Sequence, residues 1–203
     1  MLFFWPSIFR RAVSRLGLLG SLSILFVGCA YVSQKAHLDP HPQLTARNSG
    51  NGARVVVRVV DSRASTRIGY RGMDSKLGEI TSEQDVAALV RKQIVSGLNA
   101  KGFTAREFDG QPSSRLLRVE VNALEYTTAM DYLKGSIQTR AAFQVYFRKG
   151  DSLFAHLYQS EVKAPSFEAP GAKKNDALIN QALNETLEKV LEDDGLLQFM
   201  AAE

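Results

Sequence analysis

Apolar and polar residues alternate along several stretches of the chain, and each stretch predicts an element. From Arg54 to Val60, Val55, Val57 and Val59 share one face while Arg54 and Arg58 take the other, the period of a half-buried strand. Residues 64–78 are polar and carry Gly69, Gly72 and Gly78, which predicts a loop or an irregular hairpin, with a short strand over 79–81. The period then becomes helical. Val86, Leu89, Val90, Ile94 and Leu98 fall on one face, Ser82 with Asp85 forms a capping-box start, and Gly102 supplies the stop. Residues 103–108 predict another strand. Three longer ones follow, over 115–126, 136–148 and 152–163. The first sets Leu117, Val119, Val121 and Ala123 inward, and the second sets Ile137, Ala141, Phe143, Val145 and Phe147 inward. Residues 175–194 return to helical spacing. Ile179, Ala182, Leu183, Thr186, Leu187, Val190 and Leu191 make the stripe, and Asn184, Glu185, Glu188, Lys189 and Glu192 make the polar face. A parallel sheet covered on both faces would be apolar at nearly every position. The alternation therefore predicts an α+β two-layer sandwich: a mainly antiparallel sheet with one face wet or reserved for a partner, and two amphipathic helices on the other.

The first thirty residues follow a different pattern. Arg10, Arg11 and Arg15 precede Leu16–Val27, a run of twelve residues without a charge. A basic segment before a short apolar run describes a secretory signal. As a helix the run would extend about 18 Å, short of the roughly 30 Å hydrocarbon core. Phe26-Val27-Gly28-Cys29 closes it. This order resembles the lipobox of bacterial lipoproteins, with Phe26 in place of the commoner Leu. The resemblance implies that residues 1–28 are a signal peptide and that Phe26, Val27 and Gly28 are read by the signal peptidase. It also implies that Cys29 carries a diacylglycerol and an N-acyl chain. Ala30 stands where an Asp would hold such a protein at the inner membrane, which implies sorting to the outer membrane. Between Ala30 and Gly52 no period is sustained, and Pro40, Pro42, Asn48, Gly50 and Asn51 break regular structure. Residues 29–52 are thus expected to be the lipidated Cys and a flexible tether, and residues 53–203 a single periplasmic α+β domain, large enough to stand alone.

Composition sharpens this division. The chain has 203 residues and a formal charge of +4, from 25 basic and 21 acidic side chains. Without the three arginines of the leading segment the balance is close to neutral, so no basic stripe marks the domain for nucleic acid. A single Cys excludes an internal disulfide framework and any multi-Cys zinc site. His37 and His41 are four apart, but Pro40 and Pro42 argue against the helix that would bring them together, and no third ligand is evident; no metal is expected. His156 alternates with Phe154 and Tyr158 as a sheet residue. No nucleophile elbow, P-loop or dinucleotide fingerprint occurs, so no catalytic residue and no cofactor beyond the covalent lipid is expected. Two polar groups stand out. Asp61 and Arg63 can close the turn that ends the first strand or can meet a partner. Arg118, Glu120, Arg140, Gln144 and Arg148 lie on the outward phase of two strands, either as a solvated face or as a surface for a ligand. Glu192, Asp193 and Asp194 read as a solvated helix end in preference to an acidic patch for a partner.

Several short motifs carry a family resemblance. Beside the lipobox stand Val57-Arg58-Val59-Val60-Asp61-Ser62-Arg63, Ile68-Gly69, Leu98-Asn99-Ala100-Lys101-Gly102-Phe103 and a terminal Leu196-Leu197-Gln198-Phe199. With these the chain resembles the YajG family of Gram-negative lipoproteins. The resemblance implies an outer-membrane lipoprotein facing the periplasm, and no reaction. The expected role is a non-enzymatic module that meets the membrane through its anchor and binds an envelope protein, glycan or lipid, but no nucleic acid. A lipid- or lipopolysaccharide-handling accessory is the alternative, through Arg58, Arg118, Arg140 and Arg148 acting on phosphates, and it requires these arginines to cluster in space.

Overall fold

The computed structural model describes residues 32–72, 78–131, 134–166 and 170–202; the lipobox lies outside them. Eight strands form one sheet: β1 Gln34–Ala36, β2 Arg54–Asp61, β3 Arg67–Tyr70, β4 Glu79–Ser82, β5 Thr104–Glu107, β6 Arg115–Asp131, β7 Lys134–Lys149 and β8 Ser152–Ser166. Among the described residues three helices accompany them: α1 Val86–Ala100, α2 Ala172–Leu191 and α3 Asp194–Ala201. The third, a short helix, holds the terminal Leu196-Leu197-Gln198-Phe199 motif.

The sheet is mixed, which corrects the expected antiparallel one. β6, β7 and β8 form two long antiparallel hairpins, and β3 runs antiparallel to β4. The other four pairings among the described residues, β1 with β4, β2 with β5, β2 with β6 and β3 with β6, are parallel. The cause is the crossover through α1, which returns the chain to the same end of the sheet before β5 begins. Alternation reports which face is wet and carries no information on strand direction.

β6 is the spine. One edge pairs with β7 along its whole length, while the other takes β2 on its first half and β3 on its second. At Asn122 the register passes from Val121↔Phe143 to Ala123↔Ala142, so β6 carries one extra residue. The bulge moves the inward phase from Leu117, Val119 and Val121 to Leu124 and Tyr126. Ala123, expected inward, falls on the opposite face and outside the main core cluster. That core is filled by Val55, Val57 and Val59 from β2, Phe143, Val145 and Phe147 from β7, and the stripes of the helices.

Residues 34–45 are part of the domain, and this corrects the expected tether. Gln34, Ala36, Leu38 and Pro40 are buried at every second position. The segment runs along α2, held by side chains four or eight residues apart. Gln34 Nε2 donates to Asp176 Oδ1 at 2.8 Å, Asp39 N to Asn180 Oδ1 at 2.7 Å, Gln43 N to Glu188 Oε1 at 2.6 Å and Thr45 N to Glu192 Oε1 at 2.6 Å. From the side of α1, Gln84 clasps both the N–H and the carbonyl of Leu38. Gly97 lets the elements close: a Cβ there would lie 2.5 Å from Leu191 Cδ1 and 3.1 Å from Leu44 Cδ1. The polar face of α2 is therefore a rail for the strap. Likewise α1 begins one residue after Asp85, which accepts from Ala88 N, while Ser82 closes the preceding turn by accepting from Gln84 N.

The acidic run at the end of α2 is fully employed. Glu192 accepts from Lys101 Nζ at 2.6 Å, and that ammonium also donates to Thr45 O at 2.8 Å. Asp193 caps α3 by accepting from Leu196 N and takes the Tyr158 hydroxyl proton bond at 2.6 Å. Asp194 pairs with Arg47. Burial, reinforced by the carboxylate of Asp193, pushes the Tyr158 phenol well above its ordinary value, so it stays a neutral donor.

Candidate functional site

The three helices pack on the face that holds the core, through contacts such as Tyr126 Oη to Asn175 Oδ1 at 2.8 Å and the edge-on rings of Phe147 and Phe199. The opposite face of the sheet has no helix over it among the described residues. Its composition differs along its length. Towards the hairpin tip at Lys134 it is a charge ladder, with Arg140 Nη1 3.2 Å from Glu125 Oε2 and Lys163 Nζ 2.8 Å from Glu161 Oε1. Towards the β7–β8 turn it becomes apolar, aromatic and basic.

Strand register builds this second region. Arg58 of β2 lies beside Arg118 of β6, and Arg118 beside Tyr146 of β7. One pleat further along, Leu116 lies beside Arg148, and Arg148 beside Leu153 of β8. The segment after β5 forms a lip. Phe108 N bonds Val57 O, and Asp109 braces the turn by accepting from Gln111 N at 3.1 Å and Arg106 Nη1 at 2.8 Å. The Gln111 N–H is the main reason its carboxyl lies below the ordinary range. Between lip and sheet lies an open groove of about 560 Å³, lined by Phe108, Leu116, Arg118, Tyr146, Arg148 and Leu153.

The groove is cationic. Arg58 stacks over the Phe108 ring, its Cζ 5.4 Å from the centroid. Arg118 Nη2 is 2.5 Å from Glu120 Oε1. Arg148 is exposed. Three guanidinium groups thus face one carboxylate, within a wall of aromatic and aliphatic carbon. Leu153 is 57% exposed, among the most exposed large apolar side chains described. Such a surface can pair an anion with an apolar or aromatic moiety. Its lining supplies charged, aromatic and aliphatic side chains.

Of the residues predicted for the outer face, Arg118, Glu120 and Arg148 converge here. Gln144 lies one pleat away, beside Glu120. Arg140 belongs to the charge ladder. Phe108, Leu116, Tyr146 and Leu153 were not anticipated; the signal was apolar residues standing in the outward phase of otherwise polar positions. Asp61 and Arg63 form a self-contained fork, Nε to Oδ1 at 2.8 Å and Nη2 to Oδ2 at 2.7 Å, with Arg63 N on Oδ1 at 3.2 Å. The Arg63 side-chain bond is the main reason the Asp61 carboxyl sits below its ordinary range. Asp61→Ala should cost about 1 kcal/mol, read by urea denaturation, with the groove's ligand contacts intact; an unchanged midpoint would contradict the turn role. His37 meets Gln84 and His41 meets Asp39, with no third ligand grouped with them among the described residues. Cys29, Phe26, Val27 and Gly28 lie outside the described residues.

A mixed sheet with helices on one face and a cationic cleft on the other defines a small α/β domain. Residues 40–201 match the Lipoprotein_16 family model, described as an uncharacterized lipoprotein, and the chain belongs to that YajG-type family. No curated protein matches it. Among solved structures it is similar to a neuraminyllactose-binding hemagglutinin homolog from Helicobacter pylori, with a TM-score of 0.52 and 16% identity over 83% of this chain and 97% of that one. It is also similar to a DUF330 protein from Xanthomonas campestris, with a TM-score of 0.50 and 14% identity over 81% and 96% of the two chains. A minor lipoprotein from Acinetobacter baumannii aligns at a TM-score of 0.45 and 8% identity over 73% and 93%. The first two likenesses show a shared fold.

Proposed function

We propose that this lipoprotein is anchored through acyl chains on Cys29 to the periplasmic face of the outer membrane and acts there as a non-enzymatic binding module. The observation that carries the binding role is the convergence of Arg58, Arg118 and Arg148 among Phe108, Leu116, Tyr146 and Leu153 on an uncovered sheet face. Its ligand is an anion with an apolar or aromatic part, belonging to an envelope protein or glycan. The clustering of three of the four arginines also supports the second reading, an accessory that handles lipid or lipopolysaccharide phosphates. Arg140, engaged with Glu125, takes no part in either.

The test is photocrosslinking in intact cells from position 153, with position 127, further along the same face, as control. A discrete adduct from 153 alone, lost in Arg118→Glu/Arg148→Glu, is expected, and the adduct's identity as protein, glycan or lipid separates the two readings. Equal, diffuse labelling of bulk lipoproteins from both positions would refute a dedicated groove. Cys29→Ser should leave an unlipidated precursor; normal processing and membrane retention of that variant would refute the anchor.

A further inference from the structure

The anchor reading combines with the docked strap to fix how the domain meets its membrane. Three Cα steps separate Cys29 from Val32, so these two Cα atoms are at most about 11 Å apart whatever path the chain takes. A long tether would have cleared the headgroups. Here Val32 and the start of β1 must stay near the lipid surface.

The end of the domain that this bound selects has its own chemistry. Arg71 Nη1 donates to Val32 O at 3.2 Å and its Nη2 to Pro170 O at 3.4 Å, tying the entry of the chain to the start of α2. Arg71 Nε is buried with no hydrogen-bond partner. Gln34 reaches Ala172 O at 3.1 Å, which places the first turn of α2 beside the strap. That turn contains no acid; it carries Lys173 and Lys174, both exposed. Lysines at the positive end of a helix dipole have the unfavourable sign, and an external anion opposite them reverses it. Among the described residues Lys174 Nζ contacts a carbonyl, Pro165 O, at 3.3 Å, and Lys35 is exposed beside Glu83. Val32 is 60% exposed, an apolar side chain at the point nearest the anchor.

We propose that the surface formed by Val32, Lys35, Arg71, Lys173 and Lys174 lies against the anionic headgroups of the bilayer that holds the Cys29 acyl chains. The proposal rests on the anchoring reading. Anionic leaflets attract such basic clusters within a Debye length, and the short link holds the cluster inside that range. The opposite end, the β7–β8 turn, then stands away from the membrane. β7 has 16 residues, which at about 3.3 Å each give roughly 50 Å along the strand. The arginine groove lies near that far end and faces the periplasm rather than the anchoring lipid.

The test uses the full lipidated chain in vesicles of phosphatidylethanolamine and phosphatidylglycerol. With Cys29 consumed by lipid, Lys173→Cys or Asp151→Cys supplies the one free thiol for a fluorophore, and a headgroup-nitroxide lipid is the quencher. Strong quenching from position 173 and little from 151 is expected. Inserting a Gly/Ser linker of about 20 residues before Val32 should relieve the quenching while the protein still sediments with vesicles, and Lys174→Glu should weaken it. Equal quenching at 173 and 151 in a protein whose mass shows the acyl chains would overturn the docking and leave the anchor standing. A mass without acyl chains would overturn the anchor, and the docking with it.

Discussion

Glu192→Leu should lower the unfolding free energy by about 3–5 kcal/mol, measured by urea denaturation at neutral pH. Lys101 caps the end of α1 with a side chain 1% exposed, and its ammonium holds only Glu192 Oε1 and Thr45 O. Removing the carboxylate leaves a buried cation with one neutral acceptor. The reverse change, Lys101→Met, should cost less, because the Glu192 side chain is 31% exposed and water can solvate it. The pair Lys101→Met/Glu192→Leu should recover part of the loss, since an apolar replacement strands no charge. A loss under about 1 kcal/mol for Glu192→Leu would mean that water reaches Lys101 in the folded state. Burial tends to raise the Glu192 carboxyl, but the Lys101 and Thr45 bonds outweigh it, so the group lies below its ordinary 4.5. A depressed carboxyl stabilises the fold above the unfolded value, and the contribution fades as pH falls below 4.5 and through the folded value. Glu192→Leu should therefore show a shallower loss of stability in acid than the parent.

Gly69→Ala should be the most damaging of the small substitutions. A Cβ at this position would lie 1.9 Å from Tyr126 O and 2.8 Å from Tyr126 C, both backbone atoms of the spine strand. A flexible side chain could move aside; a paired strand cannot. β3 must separate from β6, and β4 and β1 depend on β3 for their place in the sheet. The expected cost is at or above the upper end of the roughly 1–3 kcal/mol typical of overpacking. Hydrogen exchange should show the loss concentrated in β1, β3 and β4, with β7 and β8 still protected. Uniform loss of protection would mean that the sheet unfolds as one unit.

Both predictions concern features that periodicity does not report. The helical stripes were legible: Val86, Val90, Ile94 and Leu98, and the run from Ile179 to Leu191, are buried as their spacing demands. The inward faces of β2 and β7 were legible for the same reason. The strap was missed because its alternating buried positions include Gln34 and Pro40, which carry no apolar signal, although Ala36 and Leu38 share their phase. The bulge at Asn122 was missed because a phase change needs a partner strand to be seen. Strand direction was missed because it depends on the crossover and not on any residue's polarity. The groove was half legible. Arg118, Glu120 and Arg148 stand in the outward phase, but their meeting with Arg58 and Phe108 depends on which strands become neighbours.

The docked strap has a consequence for proteolysis. A protease needs several residues of extended, unpaired chain in its cleft, and a free tether would offer them. From Gln34 to Thr45 the backbone is instead engaged with β4, α1 and α2. Cleavage there must wait for the strap to lift, so its rate follows that opening equilibrium. The same contacts that seat the strap on the domain also guard it against being cut.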